Sequence, residues 1–315
     1  MSKRSIGVVS PSFPRAARSV NSLNQSIANL EQAGYEVKLA RNATLDTGYT
    51  AGTIQERVTD IHEMFEDDEV DVILAASGGW NANDLLNYLD YDRIASYSKP
   101  CIGFSDLTVI LYALYARAKV PVCYGPSLIS SFTDRRLMAY TLRYLEHALS
   151  QKLYDIIPAE QVSTASSLNG VVKMQRQEGW AAVRDGEAEG VVFGGNLGTL
   201  YLSCHTGDFK PFENKDLILA LEDDNESHGA MNYRHMRMLE QTGILERVTG
   251  VLWGRDVEGT RYEPGYGPDW ILKQFFESNV PIFMGIDFGH TLPFATIPLG
   301  RRCRISRNLI HVYDA

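Results

Sequence analysis

The chain is predicted to be α/β, built as two domains. In its first half, short buried apolar runs alternate with stretches of apolar residues at helical spacing. A second apolar set begins near Val191, after an irregular stretch. At 315 residues the chain is too long for one comfortable core and short for three. Strands separated by helices imply right-handed crossovers and a mainly parallel sheet covered on both faces.

The elements follow in order. Residues 5–10 (SIGVVS) form an apolar run ending in Ser-Pro, the pattern of a buried strand entering a loop. Leu23, Ile27, Leu30 and Ala33 share a helical face, with Gly34 as C-terminal cap, and residues 35–40 form the next strand. Thr53 and Glu56 match a capping box, and Ile54, Val58, Ile61 and Phe65 continue one helical face. Residues 70–76 (VDVILAA) are the clearest buried strand and run into Ser77-Gly78-Gly79. Residues 100–104 (PCIGF) are a further strand, followed by a helix over 106–118 and another over 137–149. Residues 151–186 carry Ser, Thr and Gly clusters and read as a linker or cross-domain segment. Strands are expected at 191–193, 217–221, 250–253 and 281–286, with helices at 236–241 and 270–276. The domains are therefore residues 1–150 and 187–315, joined by 151–186.

Composition narrows the function. The hydrophobic fraction of 44% and charged fraction of 22% are those of an ordinary globular chain. A net charge of -9 repels phosphate backbones and argues against a nucleic-acid partner. No apolar run approaches the roughly 18 residues needed to span a bilayer. Lys3 and Arg4 precede only four apolar residues before Ser10-Pro11, too few for a signal peptide, so a cytoplasmic location is expected. Cys101, Cys123, Cys204 and Cys303 form no CxxC pair and read as buried free thiols.

The main chemical signal is GFSDLT, residues 103–108. A serine between a strand and a helix presents its hydroxyl clear of the backbone. The helix N-terminus behind it offers unpaired N–H groups. The N–H of Asp106 is placed to receive an oxyanion. The plain alternative is that Ser105 is an N-cap, and the pattern is not GxSxG. SGGWNANDLLNYLDYD, residues 77–92, supplies paired glycines that let backbone approach a ligand, or else a tight turn into a helix capped by Asn81 or Asn83. It contains neither GKS/T nor GxGxxG.

A serine nucleophile needs a base and a group to hold it. Of seven histidines, His62 and His147 fall on polar helical stretches and are expected in solvent. His290 lies in GIDFGHTLP directly after a strand, as a site residue or as a hydrogen-bonded loop histidine. Glu222 ends the strand LILALE and can accept from an imidazole N–H; the plain alternative is that Glu222, Asp223 and Asp224 together form a solvated turn, the preferred reading for Asp223 and Asp224. Glu222, Asp223, Asp224, His228 and His235 match no zinc spacing, so no metal site is expected.

In the order GGxN, GFSDLT, GGNL, LED and GxxFGH, these segments resemble the LD-carboxypeptidase family of serine peptidases, which includes the microcin C self-immunity carboxypeptidases. The resemblance runs from about Ser5 to Pro298. It implies a Ser–His–Glu triad of Ser105, His290 and Glu222, with backbone N–H groups of Gly79 and Asp106 as oxyanion hole. It implies a flavodoxin-like parallel α/β domain supplying the serine and a swivelling C-terminal β/α domain supplying Glu and His. It also implies a homodimer, and a mechanism without metal or organic cofactor. GGWNANDLLNYLDYD and LEDDNES look more like the microcin-immunity branch than the murein-trimming one. Trp80, Asn81, Trp180 and Asn196 are candidate substrate-binding residues. Trp180 is either an aromatic platform or a packing residue, and Asn196 either orients the site or caps the following helix. The substrate expected is a small peptide or a peptidyl- or aminoacyl-nucleotide. The alternatives are a murein tetrapeptide or, in another class, a non-catalytic two-domain ligand-binding protein.

Overall fold

The computed structural model describes residues 3–150, 152–166, 172–224 and 228–313. Asn225, Glu226 and Ser227 of LEDDNES, with 151 and 167–171 of the segment read as a linker, lie outside the described residues. The chain divides into two compact units, Met1–Ala139 and Tyr140–Ala315.

In the N-terminal unit β1 (Ser5–Val9), α1 (Arg15–Arg18), α2 (Val20–Gln32), β2 (Glu36–Leu39), α3 (Ile54–Glu66) and β3 (Val72–Ala75) come first. They are followed by α4 (Tyr91–Ala95), β4 (Cys101–Gly103), α5 (Thr108–Ala113), β5 (Val122–Tyr124) and α6 (Leu128–Ser131). The five strands run in the order β2-β1-β3-β4-β5, each pair parallel. That is the flavodoxin-like order, whose switch point lies between β1 and β3. β1, β3, β4 and β5 are buried along their whole length, because helices cover both faces of a parallel sheet.

Local chemistry sets the helix ends. Thr53 Oγ1 accepts from the Glu56 N–H at 3.3 Å, and Glu56 Oε2 accepts from the Thr53 N–H at 2.7 Å. This is the complete capping box, and α3 turns Val58, Ile61 and Phe65 into the core. His62 departs from its expected solvated place. It is buried, and its Nε2 accepts the Asp90 N–H at 3.0 Å. Burial, with Arg93 beside it, lowers its pKa. The polar stretch around it misleads because α4 and its N-cap fold onto this face of α3. The helix expected over 106–118 is split into a 3-10 turn (Ser105–Leu107), α5 and a π turn (Leu114–Ala118) ended by left-handed Lys119.

The C-terminal unit opens with α7 (Met138–Ser150), whose first two residues precede the division. It continues through β6 (Tyr154–Ile156), β7 (Gln161–Val162), β8 (Gln175–Arg176), β9 (Ala181–Arg184), β10 (Ala188–Asn196), α8 (Leu197–Leu200) and β11 (Leu217–Glu222). Next come α9 (Gly229–Gln241), β12 (Val248–Gly254), α10 (Pro268–Lys273), β13 (Ile282–Ile286), β14 (Ile297–Pro298), β15 (Arg302–Ser306) and β16 (Leu309–Tyr313). Its eight-stranded sheet has the order β6-β16-β15-β10-β11-β12-β13-β9. The four strands β10 to β13 pair in parallel at its centre, and antiparallel strands flank them. Within 151–186, β6 and β9 are the two edges of this sheet, and β7 pairs with β8. Edge strands of three and four residues are too short to show a clear apolar periodicity.

Thr53→Ala removes the side-chain half of the capping box. Its urea unfolding free energy is expected to fall by about 0.5–2 kcal/mol with an unchanged m-value.

Candidate active site

Ser105 lies one residue beyond β4, after Phe104, and has φ +60°, the left-handed region that a side chain seldom occupies. A strained serine between a strand and a helix is a nucleophile elbow in geometry, although the sequence is not GxSxG. Its neighbours hold it there. The Ser105 N–H donates to the Tyr124 hydroxyl at 3.0 Å, and Thr108 Oγ1 donates to the Ser105 carbonyl at 2.6 Å. Two glycines make room: a Cβ on Gly78 would lie 2.9 Å from Ser105 Cβ, and one on Gly103 would lie 2.1 Å from Leu107 Cδ2.

The glycine-rich loop after β3 is fixed by groups whose role the sequence did not reveal. Ser12 Oγ donates to Asp106 Oδ2 at 2.5 Å and accepts the Asn81 N–H at 3.1 Å. Asp106 Oδ2 also accepts the Ala82 N–H at 2.8 Å. Burial pushes the Asp106 carboxyl up, against the pull of these hydrogen bonds. Arg57, buried in α3, donates to the Pro11 and Asn81 carbonyls and pairs with Asp84. Gly79 has no space for a side chain, since a Cβ would lie 2.3 Å from Ser12 Oγ. The loops after β1, β3 and β4 thus meet at the C-terminal end of the parallel sheet, where open α/β sheets bind ligands. Trp80 is 56% exposed and stands edge-on to Phe13, while Asn81 Oδ1 is buried with no hydrogen-bond partner among the described residues. Only the Ser-Pro-Ser sequence after β1 hinted at Ser12, and nothing in the sequence marked Arg57 or Tyr124.

In the C-terminal unit His290 Nδ1 and Glu222 Oε2 are 2.7 Å apart, and both side chains are almost wholly buried. Burial alone would lower the imidazole pKa. The charge and hydrogen bond of Glu222, with Asp224 and Asp223 nearby, outweigh it and raise the value. Asn196 faces Glu222 across the β10–β11 register and donates to Glu222 Oε1 at 3.0 Å, while Thr199 Oγ1 donates to Asn196 Oδ1 at 3.0 Å. Asn196 occupies the N-cap position of α8 but makes no side-chain cap hydrogen bond there; its side-chain amide goes to Glu222. Gly289 has φ +104°, and a Cβ there would lie 2.7 Å from Glu222 Oε2. A Cβ on Gly254 would lie 2.7 Å from Glu222 Cβ. The carboxylate therefore depends on two side-chain-free positions.

Asp223 is not a solvated residue. It is buried and accepts from Asn232 Nδ2 at 2.9 Å, because α9 lays Asn232 over it. Burial, with Asp224, Glu222 and Asp256 adding, pushes its carboxyl up to about 7. His235 stacks on Tyr201, and among the described residues no group of three or more His, Cys, Asp or Glu is placed to hold a metal ion. Trp180 is buried, with its indole N–H donating to Asp287 Oδ2 at 2.8 Å. Two clefts of about 450 Å³ in this unit, beside Cys204 and beside Trp270, contain none of these residues. No helix among the described residues is long and apolar enough to cross a membrane.

Comparison with known proteins matches the fold to an enzyme class. The chain belongs to the LD-carboxypeptidase family: residues 6–125 match its N-terminal domain and residues 189–305 its C-terminal domain. It is a serine-type carboxypeptidase, which separates it from the binding-protein alternative. It is 32% identical to YocD of Bacillus subtilis, named as a carboxypeptidase, over 95% of this chain and 92% of YocD. It is 28% identical to the microcin C7 self-immunity protein MccF of Escherichia coli, over 95% of this chain and 90% of MccF. Identity to the murein tetrapeptide carboxypeptidase of Pseudomonas aeruginosa is 24%, over 94% and 92%. The crystal structure of an MccF-like protein from Bacillus anthracis superposes with a TM-score of 0.90 at 29% identity, covering 100% of this chain and 98% of that one. The structure of MccF in complex with aspartyl sulfamoyl adenosine gives 0.87 at 27% identity, covering 100% and 97%.

Gly289→Ala should cut the hydrolytic rate by about 10–100-fold, because the new Cβ displaces Glu222 or the His290 loop. Gly34→Ala is the control. Gly34 has a similar φ of +100° but no atom within 4 Å of a Cβ, so stability should fall by about 1–2 kcal/mol with activity intact.

Proposed function

We propose that Ser105, His290 and Glu222 work as a Ser–His–Glu triad that hydrolyses an amide bond through an acyl-enzyme. The observation that carries this reading is a strained serine elbow in one unit and a buried imidazole–carboxylate pair in the other, in the family's motif order. Glu222 holds the Nδ1–H of His290, which leaves Nε2 as the base. His290 takes the Ser105 proton as Oγ attacks the carbonyl carbon. The N–H groups of Gly79 and Asp106 receive the oxyanion. Collapse breaks the C–N bond, and His290 returns the proton to the departing amine. Water, deprotonated by the same imidazole, then releases the acid and frees Ser105.

For substrate we propose a peptidyl- or aminoacyl-nucleotide of the microcin C type, which would make the reaction a detoxification. Likeness to MccF, and to MccF in complex with aspartyl sulfamoyl adenosine, supports this choice. The second reading is removal of the terminal residue of a murein tetrapeptide, favoured by the Pseudomonas aeruginosa relative. A homodimer belongs to the same proposal and is open to sedimentation.

The test offers an aspartyl-adenylate phosphoramidate analogue and a murein tetrapeptide ending in D-Ala side by side, with products read by mass spectrometry. Cleavage of the nucleotide conjugate alone is expected. Release of D-Ala would move the enzyme to wall recycling. Ser105→Ala, His290→Ala and Glu222→Gln, each folded, should lose about 10³-fold or more in kcat.

The pH dependence has a definite sign. His290 must be neutral to act as base, and its pKa is raised above the ordinary 6.5. The acid limb of kcat/KM should therefore fall above pH 6.5, and Glu222→Gln should move it down. In stability the same shift favours the folded state below pH 6.5. That contribution fades as pH rises through the raised pKa.

A further inference from the structure

We propose that the buried Arg255–Asp287 ion pair is a clamp that positions His290, and that Trp180 serves this clamp as a hydrogen-bonded strut rather than a ligand as a platform. The inference rests on the reading of His290 as the base.

Asp287 stands three residues before His290 in the loop after β13 and has no exposed surface. Its Oδ2 accepts from Trp180 Nε1 at 2.8 Å, from the Ala159 N–H at 3.1 Å and from the Tyr140 hydroxyl at 3.3 Å. Its Oδ1 accepts from Gln177 Nε2 at 3.4 Å and from the Arg255 guanidinium. A carboxylate that accepts from so many donors has few directions left in which to move.

Arg255 directly follows β12 and is 6% exposed. Its planar fork reaches past Asp287 to the far side of His290. Nη1 donates to Thr291 Oγ1 at 3.1 Å and to the Leu292 carbonyl at 3.5 Å. Nε and Nη2 donate to Gln177 Oε1 at 3.2 and 3.0 Å. Its backbone N–H donates to the Ile286 carbonyl at 2.9 Å. One guanidinium therefore grips the loop on both sides of His290, which a point-charge ammonium could not do. Between these anchors the chain passes through Gly289, whose left-handed φ lets His290 reach Glu222. Trp180 has 3% of its surface exposed and its N–H committed to Asp287, so it offers no open face.

The test uses Trp180→Phe, which keeps an aromatic ring but removes the indole N–H donor together with part of the indole's buried bulk, in the full chain. A small alkyl fluorophosphonate serves as probe. Ser105 Oγ bonds to phosphorus, fluoride leaves, and the serine proton passes to His290. The maximal labelling rate is expected to fall about tenfold, with the half-saturating concentration and the labelled fraction unchanged. Partial unfolding would lower the labelled fraction instead. Gln177→Leu, which removes half-buried contacts from the same pair, should slow labelling about threefold and covers the case of a Trp180 variant that does not fold. A platform role leaves labelling at the wild-type rate in both variants, because the probe has no ring to stack, and that result overturns the clamp. His290→Ala is run alongside. Wild-type labelling there defeats the triad itself, a failure separable from that of the clamp.

Discussion

The contact between His290 and Glu222 is the constraint around which the C-terminal unit is arranged. Two ionisable groups with almost no exposed surface are costly to bury, by several kcal/mol per charge, unless each finds a partner of good geometry. Glu222 therefore ends a fully buried parallel strand, where the sheet fixes its direction. Its second oxygen is satisfied by Asn196, which the neighbouring strand places opposite it. Gly254 and Gly289 are glycines because a methyl group at either would collide with this side chain. The Arg255–Asp287 pair lies on the other flank of the same loop. The features of LED, GGNL and GIDFGH thus follow from one electrostatic requirement.

The N-terminal unit meets a different requirement, that of holding a serine in an unfavourable backbone state. A non-glycine residue in the left-handed region costs about 1–2 kcal/mol. The surrounding loops over-determine Ser105: its N–H, its carbonyl and the space around its Cβ are each committed to a neighbour. Asp106 ties this turn to the loops after β1 and β3. It does so as a buried carboxyl with a raised pKa that accepts from Ser12 and from backbone. Strain of this kind persists where rigid structure supports it, and β1, β3 and β4 supply that support.

How far the site could be read in advance depended on how local its determinants are. β1, β3 and β11 were visible as uninterrupted apolar runs, and the start of α3 as a capping box four residues long. Ser105, Glu222 and His290 stood out because each lies at, or a few residues beyond, the end of an apolar strand. His62 and Asp223 were misjudged because polar neighbours in sequence say nothing of what a distant element lays over them. For Asp223 that element is α9, and for His62 it is α4 with its N-cap. The edge strands within 151–186 escaped notice because runs of three and four residues are too short to show a periodicity.

The linear chain was sufficient for the class of fold, the places where strands meet loops, and the residue types able to carry acyl transfer. Those depend on burial patterns and caps spanning a few residues. Tertiary structure alone decided that Ser105 is a left-handed elbow rather than an N-cap. It also decided that the Asn196 side chain bonds Glu222 while its backbone stands at the N-cap of α8, and that the indole N–H of Trp180 is committed to Asp287. Each of those outcomes turns on a hydrogen bond or a steric limit between residues far apart in the chain. No local pattern encodes a partner that only folding brings within 3 Å.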